Sequence, residues 1–500
     1  MSVFGFARSI PQFTITQKQT NNIIFITFWS QFASHALNSI LILFLTRPMI
    51  EQGLGFSQVK AYAFIGVTQA MGYMMPVLGG FMADKVLGVR RAILLGSSML
   101  ALAYLLIMLS GYTIGPLEDK LFIAAYALIP ATSSLLMGTA SSMVSHIHAD
   151  DAVKAKSAMT FFYMAINVGG LLAALIAPAL LESRYGPLSV LTVTFIGKSI
   201  AALNFAKRYN LYDSVVWGKD KHPLSWSNLG YLALYLLTIY LLTLFAYSHV
   251  YSASIVITLG CMTAIFWFIK KTMTLEGNAR VKQLIALILI LEAVVFFVIY
   301  NQMSSTLVLL AAMNSNCHLL GMVISPAQYQ MLNPLLILLI GSQLPRFYKY
   351  LPRFTIPYQF AAGTLLASMG LLVMVYAAQH ATQGIIEGNY IALTYILISL
   401  AELWVSAIGL SMIGLYCDHK DIAFSMGVWY IASSLAHTLS GRIASWVAIP
   451  SSVHLAIDRL FYYENYYRAM GFCTLILGIM MWGLAIYLHK IAHRRQMALV

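Results

Sequence analysis

The sequence predicts an all-α polytopic membrane protein, on three observations. Of its 500 residues, 60% are hydrophobic and only 9% charged, with a mean hydropathy of +0.78. A soluble domain carries about 25% charged residues, so this chain lacks the charge to coat a water-facing surface of ordinary size. Apolar runs long enough to cross a bilayer recur along the chain, and the basic residues fall almost entirely in alternate loops.

Each run is a helix candidate because hydrocarbon offers backbone groups no partner but one another, and a helix of roughly 20 apolar residues crosses the core. About fourteen such runs lie near 23–45, 58–82, 91–111, 121–146, 157–181, 187–206, 227–247, 250–270, 282–312, 328–347, 356–378, 388–416, 422–448 and 467–490. Residues 1–22 are polar and the first run is long enough to span, so it reads as a retained helix and not a cleaved leader. The runs group as six, two and six, separated by the polar stretches 207–227 and 270–282. The expected units are a six-helix bundle (1–208), a linker with an extra helix pair (209–280) and a second six-helix bundle (281–500). Two bundles of six suggest the major facilitator fold, with a site between the halves near midplane.

The net charge of +13 reports topology and not nucleic-acid binding. Arg47, Lys60, Lys120, Arg184, Arg459 and Arg468 fall on one side, and Lys198 and Arg442 fall inside helices. The other 22 of the 30 basic residues fall on the side of the two termini. Cytoplasmic loops carry the excess of Lys and Arg, so both termini are expected in the cytoplasm. The four cysteines, Cys261, Cys317, Cys417 and Cys473, show no CxxC or metal-ligand spacing and read as small buried hydrophobes. No HExxH pair, GxSxG turn or Walker loop is present. The sequence therefore assigns no catalytic residue, metal or cofactor, and disfavours an enzyme or an ATP-driven pump.

Between the second and third runs stands Gly80-Phe81-Met82-Ala83-Asp84-Lys85-Val86-Leu87-Gly88-Val89-Arg90-Arg91. Its glycines permit a tight turn, and Asp84, Lys85, Arg90 and Arg91 are placed to pair with neighbouring helix ends. The stretch resembles the major facilitator signature, which says nothing of cargo. Of the 17 acidic residues, only Glu292 and Glu402 sit well inside apolar runs. A charge at midplane costs about 3 kcal/mol or more, so such residues usually face a cavity and serve function. Glu402 reads that way, whereas Glu292, nearer the cytoplasmic end of its run, reads equally as structural. Lys198 is expected to pair within the first bundle, and Arg442 to snorkel at the outer end of its helix.

Several stretches resemble the proton-coupled oligopeptide transporter family, most closely its enterobacterial-type di- and tripeptide permeases. These are Phe162-Tyr163-Met164-Ala165-Ile166-Asn167-Val168-Gly169 and the run from Leu291 to Met303. Tyr329-Gln330-Met331-Leu332-Asn333-Pro334, Glu402 with Gly409-Leu410-Ser411-Met412, and Met426-Gly427-Val428-Trp429-Tyr430 complete the set. The extra helix pair is typical of bacterial members. The resemblance implies a secondary transporter in the bacterial inner membrane, taking up small peptides or related amine-bearing molecules with protons. It implies that Asn167, Asn333 and Glu402 line a central cavity, with Asn333 and Glu402 at the peptide amino terminus, and that Tyr73 and Tyr163 are cavity tyrosines. A carboxylate with amide neighbours suits an ammonium in a low-dielectric cavity.

The chain also departs from the family. The first-helix motif Glu-x-x-Glu-Arg-Phe is here Thr27-Phe28-Trp29-Ser30-Gln31-Phe32, the tyrosine pair after it is Ser34-His35, and the fourth-helix lysine aligns with Met137. Acids and bases are lost together, which avoids unpaired buried charge. The expectation is a cargo held by its amine that does not need a free carboxylate. Glu402 and His35 remain as candidates for proton coupling, histidine because it titrates near neutral pH. A facilitator or exchanger of another metabolite, or a sensor that no longer transports, are the alternatives.

Overall fold

The computed structural model describes residues 14–113, 118–215, 218–351, 353–418, 422–450, 452–497 and 499. Arg8 and Lys420, which enter the charge asymmetry, lie outside these. Seventeen α-helices follow in order among the described residues. They are α1 (Ile15–Thr46), α2 (Gln58–Met82), α3 (Val89–Ser110), α4 (Glu118–Tyr126), α5 (Leu128–Ile147), α6 (Ala152–Leu181), α7 (Gly186–Lys207), α8 (Trp226–Ser248) and α9 (Val250–Thr274). There follow α10 (Gly277–Tyr300), α11 (Thr306–Asn314), α12 (Leu332–Ile340), α13 (Leu344–Tyr350), α14 (Ile356–Gln379), α15 (Gly388–Tyr416), α16 (Ile422–Ala444) and α17 (Ala456–Arg494). Eleven helical stretches among the described residues are long and apolar enough to cross a membrane. Helices α2, α12 and α16 occupy three further expected runs but are not among the eleven.

Polar ends hide the true length of several helices. The first was expected to start near residue 23, yet α1 starts at Ile15, where Thr14 and Gln17 form a capping box. Its polar first turns bond the segment after α7. Gln19 Nε2 donates to Leu211 O and Ser214 Oγ (both 2.8 Å), Asn22 Nδ2 donates to the Tyr212 hydroxyl (2.8 Å), and Arg208 donates to Asn22 Oδ1 (3.1 Å). Helix α17 likewise begins about ten residues before the apolar run at 467–490.

Three expected single helices are broken. The run 121–146 splits into α4 and α5 at Ala127, because Pro130 has no N–H to continue the ladder. The Thr243 hydroxyl of α8 donates to the Ala127 carbonyl (2.8 Å) at the break. The run 282–312 splits into α10 and α11 around a 3-10 turn at Asn301–Ser304. Gln302, fully buried in that turn, donates to Val298 O and Ser440 Oγ (both 2.9 Å) and accepts from Thr306 (2.9 Å) and Tyr466 (2.8 Å). The run 328–347 becomes a 3-10 turn (Pro326–Met331), α12 and α13. An unexpected two-stranded hairpin pairs His318–Leu319 with Met322–Val323.

Helices α1–α7 pack on one another, as do α10–α17; α8 lies against the first group, on α2, α4 and α5, and α9 lies against both, touching α2, α10 and α16. The two groups meet most closely where α2 crosses α16. A Cβ on Gly66 would stand 2.9 Å from His437 O and 3.0 Å from Gly441 Cα, so only glycine admits this approach. The hydrogen bonds between the groups cluster in the half of the molecule remote from the termini. They join Ser434 to Ala70 O (3.0 Å), Gln58 to the Ile449 amide (2.9 Å), Gln330 to Ser39 O (2.8 Å) and Gln328 to Leu175 O (2.9 Å).

Candidate functional site

Between the two groups lies a cavity of about 430 Å³, within the range of small-ligand sites. All five residues expected at a binding site, Tyr73, Tyr163, Asn167, Asn333 and Glu402, line it, and so does His35. They come from α2, α6, α12, α15 and α1, so the site exists only when both helix groups are assembled.

Glu402 is the chemical centre. The Asn333 amide donates to its Oε2 at 2.6 Å and to Ser399 Oγ at 3.1 Å, and the Tyr300 hydroxyl also hydrogen-bonds the carboxylate. A partly buried carboxylate fixed by neutral donors can accept an ammonium without moving. Asn167 spends its amide nitrogen on Tyr163 O (3.0 Å), one turn back on its own helix, and keeps its oxygen for other partners. Tyr73 stacks on His437 with ring centroids 4.8 Å apart. His35 packs against Gly170, where a Cβ would stand 3.5 Å from its ring.

Sequence reasoning missed Tyr300, Asn301 and His437, which line the same cavity. The scan for buried charge could not find them, because they are neutral. Asn301 is 7% exposed and its Nδ2 has no hydrogen-bond partner. A buried donor left unpaired beside a cavity is a ready contact for a ligand carbonyl.

A second cavity of about 410 Å³ opens among α1–α7, with Tyr247 of α8 in its wall, and shares His35, Asn38, Gln69, Tyr73 and Ile166 with the first. Met137 and Lys198 line it. Lys198 was expected to pair within its bundle. It is buried and bonds neutral oxygens there: Ser30 O (2.6 Å), Ser30 Oγ (3.0 Å) and Ser34 Oγ (2.7 Å). Glu292 lines neither cavity. It is buried in α10 with Oε2 unpartnered. Arg442 is exposed in the last turn of α16, as snorkelling requires. Among the described residues no cluster of three or more His, Cys, Asp or Glu could hold a metal ion.

The signature residues stand apart from both cavities. Gly80 lies inside α2, and the turn is made by Gly88, whose φ is 88°. Asp84 and Lys85 are exposed in a π-helical turn, Ala83–Leu87. The partners of the basic pair come instead from the linker. Arg90 pairs with Asp213, and the Asp220 carboxylate accepts from the Arg90 and Arg91 amides (2.8 and 3.4 Å), capping α3. A Cβ on Gly88 would collide with that carboxylate.

The POT family profile matches residues 90–460. The chain belongs to the POT family. Dipeptide and tripeptide permease A of Serratia proteamaculans (strain 568) is 31% identical over 477 residues, covering 94% of this chain and 91% of that protein. Dipeptide and tripeptide permease B of Edwardsiella piscicida is 28% identical over 474 residues, 94% of each. The solved structure of a bacterial homologue of the human drug peptide transporters PepT1 and PepT2 matches at 25% identity with a TM-score of 0.81, over 95% of this chain and 99% of that one. The membrane-transporter fold expected from the sequence is therefore this POT member's fold.

Proposed function

We propose that this chain is a secondary transporter that takes up di- and tripeptides, or closely related amine-bearing molecules, together with protons. One observation carries the reading. A carboxylate held by neutral donors, Glu402 with Asn333 and Tyr300, faces a cavity between two helix groups and is shaped to receive an ammonium. Tyr73, Tyr163 and Asn167 complete the wall, and the unpaired Asn301 amide offers a donor to a peptide carbonyl. His35, beside the same cavity, is the second titratable group for coupling. The permease names of the relatives support a peptide cargo.

The units on this reading are residues 1–208, 209–280 and 281–500, with fourteen spans and both termini in the cytoplasm of a bacterial inner membrane. The cavity is then sealed toward the outside by the α2–α16 crossing, and transport proceeds by rocking of the two bundles about the central site. The test is uptake of radiolabelled Ala-Ala into proteoliposomes under an inward proton gradient. Gradient-driven uptake is expected in the parent and its loss in Glu402→Gln. Equal uptake by the variant, or none by the parent where a permease control accumulates Ala-Ala, would sink the reading.

A further inference from the structure

The geometry points to an anion subsite in the second cavity, where Lys198 and the hydroxyls of Thr27, Ser30 and Ser34 take the carboxylate of the cargo. This rests on the reading of the Glu402 cavity given above. It makes the preferred cargo a zwitterion, with the amine at Glu402 and the free carboxylate at Lys198.

Lys198 is 2% exposed, and its ammonium bonds only Ser30 O, Ser30 Oγ and Ser34 Oγ. All three are neutral. No Asp or Glu is among the described residues lining this cavity. A buried cation without an opposing charge is costly, and a carboxylate in reach of its hydrogen bonds offsets that cost. The Tyr104 ring, 5.0 Å from Nζ, offers it only a π-face.

The surroundings are built to donate. Thr27 is 6% exposed and lines the cavity, yet its hydroxyl has no partner. Thr27, Ser30 and Ser34 follow the spacing i, i+3, i+7, which places them on one face of α1. An arriving carboxylate replaces a serine oxygen on Nζ, and the hydroxyls turn their protons toward it. Access for the lysine comes from Gly197. A Cβ there would stand 3.1 Å from Ala33 Cβ and 3.3 Å from Trp29 O, so glycine lets α7 approach α1 and deliver the next residue to Ser30.

The two charges face adjoining cavities, whose walls have five residues in common. The cation comes from the first helix group and the carboxylate from the second.

The experiment is calorimetric binding of Ala-Ala, Ala-Ala amide and N-acetyl-Ala-Ala to the purified full chain. The parent is expected to bind Ala-Ala at least about tenfold tighter than its amide, the ordinary value of a charge-assisted hydrogen bond. Lys198→Met removes the cation, and Ser30→Glu supplies it with a fixed counter-charge. Each is expected to bring the two affinities within about twofold of one another while amide binding is kept. The second variant retains the lysine, so the result is readable if the first does not fold. A tenfold preference that survives in Ser30→Glu, or in a folded Lys198→Met, overturns the inference. If the parent binds Ala-Ala and its amide alike but rejects the acetylated peptide, the Glu402 reading stands and the Lys198 subsite alone falls. If the parent binds none of the three, both fall.

Discussion

Gly441 is the position at which a single methyl group should change which side of the protein is open. A Cβ there would stand 2.7 Å from Tyr62 O and 3.0 Å from Gly66 Cα, both backbone atoms that cannot swing aside. Ordinary Cβ contact begins at 3.4 Å, so α2 and α16 must part by at least about 0.7 Å to admit it. Valine adds two more methyl groups to the same gap. Overpacking of this kind costs about 1–3 kcal/mol, and it weighs only on the conformation in which the two helices touch. At 1.4 kcal/mol per factor of ten, the balance between outward-closed and outward-open forms shifts about 5- to 150-fold. The assay is labelling of Asn38→Cys, in the cavity wall, by a membrane-impermeant maleimide added outside, with Cys261, Cys317, Cys417 and Cys473 replaced. Gly441→Val should raise the labelling rate by that factor and slow uptake, since the closed form must be reached in every cycle. Unchanged labelling with unchanged uptake would refute the claim that the α2–α16 crossing is the outer seal.

Two other substitutions probe the site and the linker. Asn301→Leu removes an amide whose Nδ2 has no hydrogen-bond partner. It should leave the ligand-free melting temperature unchanged or higher and weaken Ala-Ala binding about tenfold, both read in one thermal-shift titration; an unaltered affinity would show that the amide does not meet cargo. Asp220→Ala uncaps α3 and strands the Arg90 and Arg91 amides, and should destabilise the protein by about 0.5–2 kcal/mol, with faster proteolysis between residues 209 and 222 as the readout. Cleavage at the parental rate would separate the linker from the signature loop.

The membrane-transporter fold was legible because bilayer thickness imposes one length on every span. What hydropathy could not see were the polar helix ends and the breaks. Gln19 and Asn22 read as a polar segment before the first helix until the linker they bond is in place. The break at Asn301–Ser304 is hidden because Gln302 satisfies its neighbours internally, so the run reads as one helix. At the site, Glu402 and its partners were legible because a carboxylate in an apolar run demands an explanation. Tyr300 and His437 carry no such penalty and are found only by position. The signature loop was recognised, but the sequence did not name the partners of its bases. Its acid and bases lie close in sequence, whereas Asp213 and Asp220, some 130 positions on, hold Arg90 and Arg91.

The missing charges of α1 and the buried lysine of α7 explain each other. Ser30 stands where the family motif has its second acid, and the Lys198 ammonium bonds both oxygens of that serine. A glutamate at 30 would sit within reach of Nζ and neutralise it, leaving no field for a ligand to meet. With serine there, Lys198 has no fixed counter-charge on α1 and gains a hydroxyl that can turn toward an incoming carboxylate. Sequence comparison alone registers this as two acids and two bases lost from the first bundle, and so suggests indifference to the cargo carboxylate. The contacts invert that inference, since removing the acid is what frees a cation already present on another helix. On this inference the protein presents a cation on one bundle and a carboxylate on the other, facing adjoining cavities. A zwitterion that reaches both draws the bundles together as it binds, whereas an amide engages one and leaves the other uncompensated. Selectivity and the closing motion of alternating access thereby depend on the same pair of charges.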